Sequence, residues 1–297
     1  MSVNWAKDYQ PVVYEYFLEG LDMVPSLIPS LFDVRQSNKA NEYALGVGGI
    51  PVELWEKYEQ DGETASADLD RGYPTTFTHK EYTLAWPLKK KHIEDDETGL
   101  IQESFNSVGV SAAQRRETHA ASVFNNAFSS SYTGPDSVSL CNASHPVGPD
   151  NTGTTRDNTG TSALTYANVV AARSSMRAWN DGQENPYMAN GRLVLIPTEL
   201  ESNAIEMFEA LAKPGTANND ANAVRGFEWM MWDYLSDTNN WFLIDPMRSR
   251  RFLRWYNRST MVPTVVKETT TEIVYEFRMR YSYGWTHWSW VYGNEVG

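Results

Sequence analysis

The chain has 297 residues, of which 41% are hydrophobic and 21% charged, so it can bury a substantial core and is neither disordered nor fibrous. Its net charge of −13 argues against a protein built to grip nucleic-acid phosphates, which needs an excess of Lys and Arg. One cysteine, Cys141, leaves no disulfide framework and no cysteine zinc cluster, and no apolar stretch reaches a membrane span.

The start, MSVNWAKDYQ, has no apolar h-region, so no signal peptide is expected. Residues 1–45 mix Trp5, Tyr9, Tyr14, Tyr16 and Phe17 with Pro25 and Pro29. Val12, Tyr16, Glu19 and Met23 share a helical face for a turn or two, and the prolines then stop it. This reads as an extended arm with one short helix. Residues 46–92 carry an acidic run, Glu53, Glu56, Glu59, Asp61, Glu63, Asp68 and Asp70, against Lys57 and Arg71. Alternation from Tyr73 through Phe77 and Tyr82 to Trp86 predicts a strand with no clearly apolar face, as in a long hairpin projecting from the body.

Residues 93–131 give the strongest helical pattern. Ile101, Phe105, Val108, Ala112, His119, Val123 and Ala127 recur at three- and four-residue steps. The acids Asp95, Asp96 and Glu97 fall in the expected first turns, and Gly109 is a candidate kink. Residues 132–163, with NTGT at Asn151 and again at Asn158, read as a mobile surface loop. From 164 to 245 the pattern is α/β. Thr165 caps a helix, Leu193–Ile196 forms a buried strand, and Thr198 with Glu201 makes a capping box. Phe227–Leu235 and Trp241–Ile244 are expected as short strands around an Asn239-Asn240 turn. The alternation of Ile273, Tyr275, Phe277, Met279 and Tyr281 predicts a docked C-terminal strand.

Candidate chemistry is sparse. Cys141, Ser144 and His145 could serve a hydrolase, yet no further group completes a set, and the structural reading is preferred. His119 on the helix face reads as a satisfied core residue. No glycine pattern forms a phosphate loop, and no catalytic, cofactor-binding or metal residue is assigned. The cluster Arg248, Arg250, Arg251, Arg254 and Arg258 interleaves with Phe252, Trp255 and Tyr256, a mixture that suits single-stranded nucleic acid. In so acidic a chain the better use is pairing with a neighbouring subunit's acidic run. Glu53, Glu56, Glu59, Asp61, Phe77, Tyr82, Arg248, Arg250, Arg251 and Arg254 are therefore the candidate inter-subunit contacts.

An arm, a hairpin, a spine helix, a compact α/β unit and a closing strand resemble, in that order, the Hong Kong 97-type major capsid protein of tailed bacteriophages. The nearest likeness is the Mu-like major head subunit group. The resemblance is carried by GLIQESFNSVGVSAAQRRETHAASVFNNAF at 99–128, SLCNASHPVG at 139–148, SALTYANVVAARSSMR at 162–177, GRLVLIPTELESNAIEMF at 191–208 and EIVYEFRMRYSYGW at 272–285. It implies an α+β fold with an N-terminal arm at 1–45, an extended loop at 46–92, a peripheral domain at 93–162 and 251–297, and an axial domain at 163–250. It further implies self-assembly into hexamers and pentamers of an icosahedral shell in the virion, put together in the host cytoplasm around non-specifically held double-stranded DNA. Implied partners are a separate scaffolding protein, a portal protein and a decoration protein, with no membrane. An encapsulin-like nanocompartment shell shares the fold and is the alternative, ahead of the Cys/Ser-His hydrolase.

Overall fold

A computed structural model of the protein describes residues 5–46, 72–95, 99–149, 151–213, 220–259 and 261–297, with backbone alone for 5–8, 94, 151 and 152. Helices α1 (Trp5–Asp22) and α2 (Ile28–Leu31) precede strands β1 (Asp33–Gln36) and β2 (Asn41–Ala44). Then come β3 (Thr75–Thr78), β4 (Lys80–Lys89), α3 (Lys90–Glu94) and the long helix α4 (Leu100–Asn125). Strands β5 (His145–Gly148), β6 (Asn151–Arg156) and β7 (Thr159–Gly160) follow, with α5 (Tyr166–Arg177) and β8 (Leu193–Ile196). The rest is α6 (Glu201–Phe208), β9 (Glu228–Met231), β10 (Trp241–Ile244), α7 (Pro246–Phe252), β11 (Leu253–Ser259), β12 (Thr264–Glu268), β13 (Glu272–Trp285) and β14 (Val291–Asn294).

Two five-stranded sheets organise the chain. In the first, β13 is the backbone strand: β11 and β12 lie along one edge and β4 along the other, with β1 outside β11. The odd residues of β13, Ile273, Tyr275 and Phe277, face Val13, Phe17, Phe105 and Val108 of α1 and α4. The even residues face the other way, because side chains alternate along a strand. The second sheet runs β7-β14-β10-β8-β9. Leu193–Ile196 and Trp241–Ile244 at its centre are wholly buried, which explains their unbroken apolar runs. The second half of α4 joins the sheets: Ala120, Val123 and Phe124 pack with Phe242, Trp255, Trp285 and Trp290.

Several expectations are corrected. The N-terminal segment is no extended arm: α1 spans 18 residues and lies on α4. Gly20 and Gly109 permit that crossing, since a Cβ on Gly109 would overlap the Phe17 carbonyl and one on Gly20 the Asn106 carbonyl. Gly109 is thus a contact point between the two helices. Helix α4 is 26 residues, about 39 Å, and the acids expected in its first turn precede it. The alternating run at 73–86 is not a projecting hairpin. β3 pairs with β2, and β4 pairs with β13 over ten positions. The acidic part of that segment lies outside the described residues.

The 132–163 segment is likewise built into the body, with β5 pairing β6 and β7 pairing β14. Thr165 does cap α5, accepting from the Asn168 N–H. The capping box at Thr198 does not form; a 3₁₀ turn over Thr198–Leu200 leads into α6. β9 and β10 do not form a hairpin, because β8 lies between them. Finally, β14 joins the second sheet, so the chain crosses the boundary expected at 250/251. Among the described residues no helix is long and apolar enough to cross a membrane.

Candidate assembly surface

The proposed contact residues separate into three groups. Glu53, Glu56, Glu59 and Asp61 lie outside the described residues. Phe77, Tyr82, Arg248 and Arg254 find partners within their own chain. Phe77 is buried, its ring 5.2 Å from that of Tyr256 and close to Gly284, where φ is +152°. Tyr82 stacks on Tyr281 at 4.9 Å and lies 4.8 Å from the His119 ring. Arg254 Nη1 donates to Asp33 Oδ2 at 2.8 Å, across the parallel β1–β11 register that places the two residues opposite each other.

Arg248 is the most fully engaged. Asp245 caps α7 by accepting the Met247 and Arg248 N–H groups, with Pro246 opening the first turn. This aims the Arg248 side chain inward. Its Nε donates to the Ser289 carbonyl at 3.0 Å, Nη1 to the Tyr187 carbonyl at 2.8 Å and Nη2 to Ser289 Oγ at 2.5 Å. Its guanidinium lies over Tyr187 and Phe252. Burial lowers its proton affinity, which Tyr187 and Asp245 partly restore. Such a group holds α7 to the loop before β14; it is not available to a neighbour. Arg250 and Arg251 remain exposed on α7 beside Met247, which is 86% exposed, and Arg251 lies over Phe252.

The segment of Cys141 and His145 turns out to be a structural hub. Asn158 Nδ2 donates to the carbonyls of Leu140 and Val291, which fixes Asn158 Oδ1 as an acceptor. That oxygen takes the Asn142 N–H at 2.8 Å and lies 3.0 Å from His145 Nε2. His145 Nδ1 lies 2.6 Å from Asp136 Oδ2, and the ring stacks on Trp288 at 4.7 Å. Both ring nitrogens thus face oxygens, and neither is left to activate a thiol. Burial pushes the Cys141 thiol well above its ordinary value, its sulfur packed against Gly293. Ser144 sits apart at the surface, its N–H donating to Asn142 Oδ1. These residues lock the loop after α4 to β7 and β14.

Sequence reasoning missed this hub and Glu117, whose buried carboxylate accepts from Ser26 Oγ, the Leu27 N–H and Trp232 Nε1. The Asp245-Pro246 pair could have been found as a helix start. The partners of Glu117 and Asn158, up to 133 residues away, carry no local signal.

A profile of the family described as phage capsid protein matches residues 72–294. No curated protein sequence matches the chain. Among solved structures, the fold is similar to the capsid of bacteriophage JBD30 decorated with minor capsid protein trimers: TM-score 0.56, 14% identity, 72% of this chain and 92% of that one. It is similar to the capsid of the cyanophage P-SCSP1u, with TM-score 0.58 and 12% identity over 92% and 88% of the two chains. A virus-like particle from Pyrococcus furiosus matches over 97% of this chain and all of its own, with TM-score 0.56 and 9% identity. The mixed helix and sheet architecture is the Hong Kong 97-type fold.

Proposed function

The chain belongs to the phage capsid protein family and is a major capsid shell protein; from that premise we propose that its copies assemble as hexamers and pentamers of an icosahedral head around double-stranded DNA. The observation that carries this reading is the family match across 72–294 on a fold that solved capsids share. The net charge of −13 supports loose packing of DNA inside, since a basic lining would hold the phosphates.

We assign it to the Mu-like head subunit group, with α4 and the first sheet as the peripheral domain. The axial domain is then the second sheet with α5 and α6, extended by β7 and β14. Of the loop expected at 46–92, the part before β3 supplies the contact to a neighbouring subunit, since β3 and β4 are paired within the body. A separate scaffolding protein, a portal and a decoration protein complete the head, which is assembled in the host cytoplasm. We assign no catalytic step: the one Cys/His pair is committed to packing.

Negative-stain electron microscopy of the protein, expressed alone and with its neighbouring reading frames, tests this. Closed shells, tubes or hexameric rings are expected. A uniform monomer in both preparations overturns the reading, and shells filled with protein cargo and no DNA would transfer it to a nanocompartment.

A further inference from the structure

We infer that a groove on the helix-free face of the first sheet is an oxyanion site that receives side-chain carboxylates of a second copy, from its acidic run at residues 53–70. The inference rests on the shell reading and gives its contact a chemistry. The groove, about 370 Å³, opens where β11 ends and β12 begins, over the even-numbered residues of β13. Arg258, Arg278 and Arg280 line it. The Nε atoms of Arg258 and Arg280 and the Oγ of Ser259 are buried with no partner among the described residues. Buried donors are seldom left unpaired, because desolvation without a partner is unfavourable. Three around one cavity point to a missing acceptor.

Arg278 is half exposed and leans on Glu81, with Nη2 to Oε2 at 2.6 Å. The imidazole of His79 is held below its ordinary pKa by burial and then by the fields of Arg280 and Arg258.

The acceptor fits a carboxylate better than a phosphate backbone. The Nε–H and one Nη–H of an arginine form a parallel pair that matches two carboxylate oxygens. Glu276 lines the groove and Glu81 borders it, which leaves room for one or two single negative charges and repels a polyanion. Residues 53–70 offer seven acids against Lys57, a dense supply in a chain that is acidic overall. Arg248 and Arg254, which the sequence suggested for this role, are engaged within their own chain.

The test uses full-length protein and sedimentation velocity. One variant reverses the groove, Arg258→Glu with Arg280→Glu; the other reverses the run, Glu53→Lys, Glu56→Lys and Glu59→Lys. Each alone is expected to need roughly tenfold more protein to associate. Mixed together, they restore association, because each supplies the charge the other lacks. Association of the groove variant like wild type overturns the site. Rescue only when both reversals share one chain, and not on mixing, assigns the run to its own groove and overturns the contact between copies. Where circular dichroism shows a reversed variant misfolded, Arg258→Gln with Arg280→Gln decides by the same loss. A wild type that never associates overturns the shell reading and the contact together.

Discussion

His119 shows how one side chain on the spine helix sets an acid limit on the fold. Its Nδ1 lies 2.7 Å from the Tyr281 hydroxyl, and its ring is flanked by Tyr82 and Tyr283. Burial, reinforced by Arg115 and Lys80, lowers its pKa to about 4. An unfolded chain binds the same proton near 6.5. Between these values the unfolded state holds more protons, so stability is intact above 6.5 and is lost as pH falls toward 4. His287, brought to about 3 by desolvation and then by the charge of Arg248, carries the decline lower. We expect the melting temperature to fall steadily from pH 7 to 4.5, and His119→Gln to flatten that fall. A His119→Gln profile parallel to wild type would remove His119 from the cause. At this scale the sequence was half legible. The helical position of His119 correctly turned it toward the body, where it is partly buried with its Nδ1 beside the Tyr281 hydroxyl. The partners of Arg248 and Arg254 within the chain were not legible, because their acceptors, Ser289, Tyr187 and Asp33, stand 41, 61 and 221 residues away.

Elements were legible where periodicity was strong and unaided. α4, α5 and β13 follow from their apolar spacing, as does the buried run of β8. α1 was legible only in part, as the short helical face of Val12, Tyr16, Glu19 and Met23; Pro11 inside it argues against a longer helix by about 3 kcal/mol. Its docking on α4 through Val13 and Phe17, both fully buried, outweighs that cost. The crossing makes a prediction with a contested sign. An exposed helical Gly→Ala gains about 1 kcal/mol from propensity. At Gly109 the new methyl meets backbone of α1, which no rotamer change relieves. Gly109→Ala is therefore expected to lose about 2 kcal/mol net. Amide hydrogen exchange should rise across α1 while β13 keeps its protection. A stabilised Gly109→Ala protein, with α1 still protected, would show that the helices do not cross there.

At the scale of the whole molecule, the two sheets exchange chain ends. The first sheet takes β1 from the N-terminal segment, and the second takes β14 from the C-terminal one. No pattern in the sequence announces this, since β1 pairs with a strand 221 residues away and β14 lies between strands up to 53 and 134 residues away, with no local signal for either. A description of residues 1–45 as an arm that only reaches outward is therefore incomplete. Ile28, Leu31 and Phe32 are at most 2% exposed and pack with Phe124, Trp255 and Trp290 in the cluster that joins the sheets. Burying each is worth about 2 kcal/mol. Together with the loss of β1 and its Asp33–Arg254 pair, removing them is comparable to the whole stability of a typical domain. Deleting residues 1–45 is thus expected to yield insoluble protein. Deleting only 1–24 removes α1, leaves α2 and β1 in place, and bares Phe105, Val108 and Phe277. That protein is expected to stay soluble and to bind an apolar dye that the full chain does not. Soluble yield and size-exclusion chromatography of the two deletions decide the matter. A soluble, folded protein lacking residues 1–45 would return the segment to the status of an appended arm, while insolubility of the shorter deletion would place α1 too among the parts the fold requires.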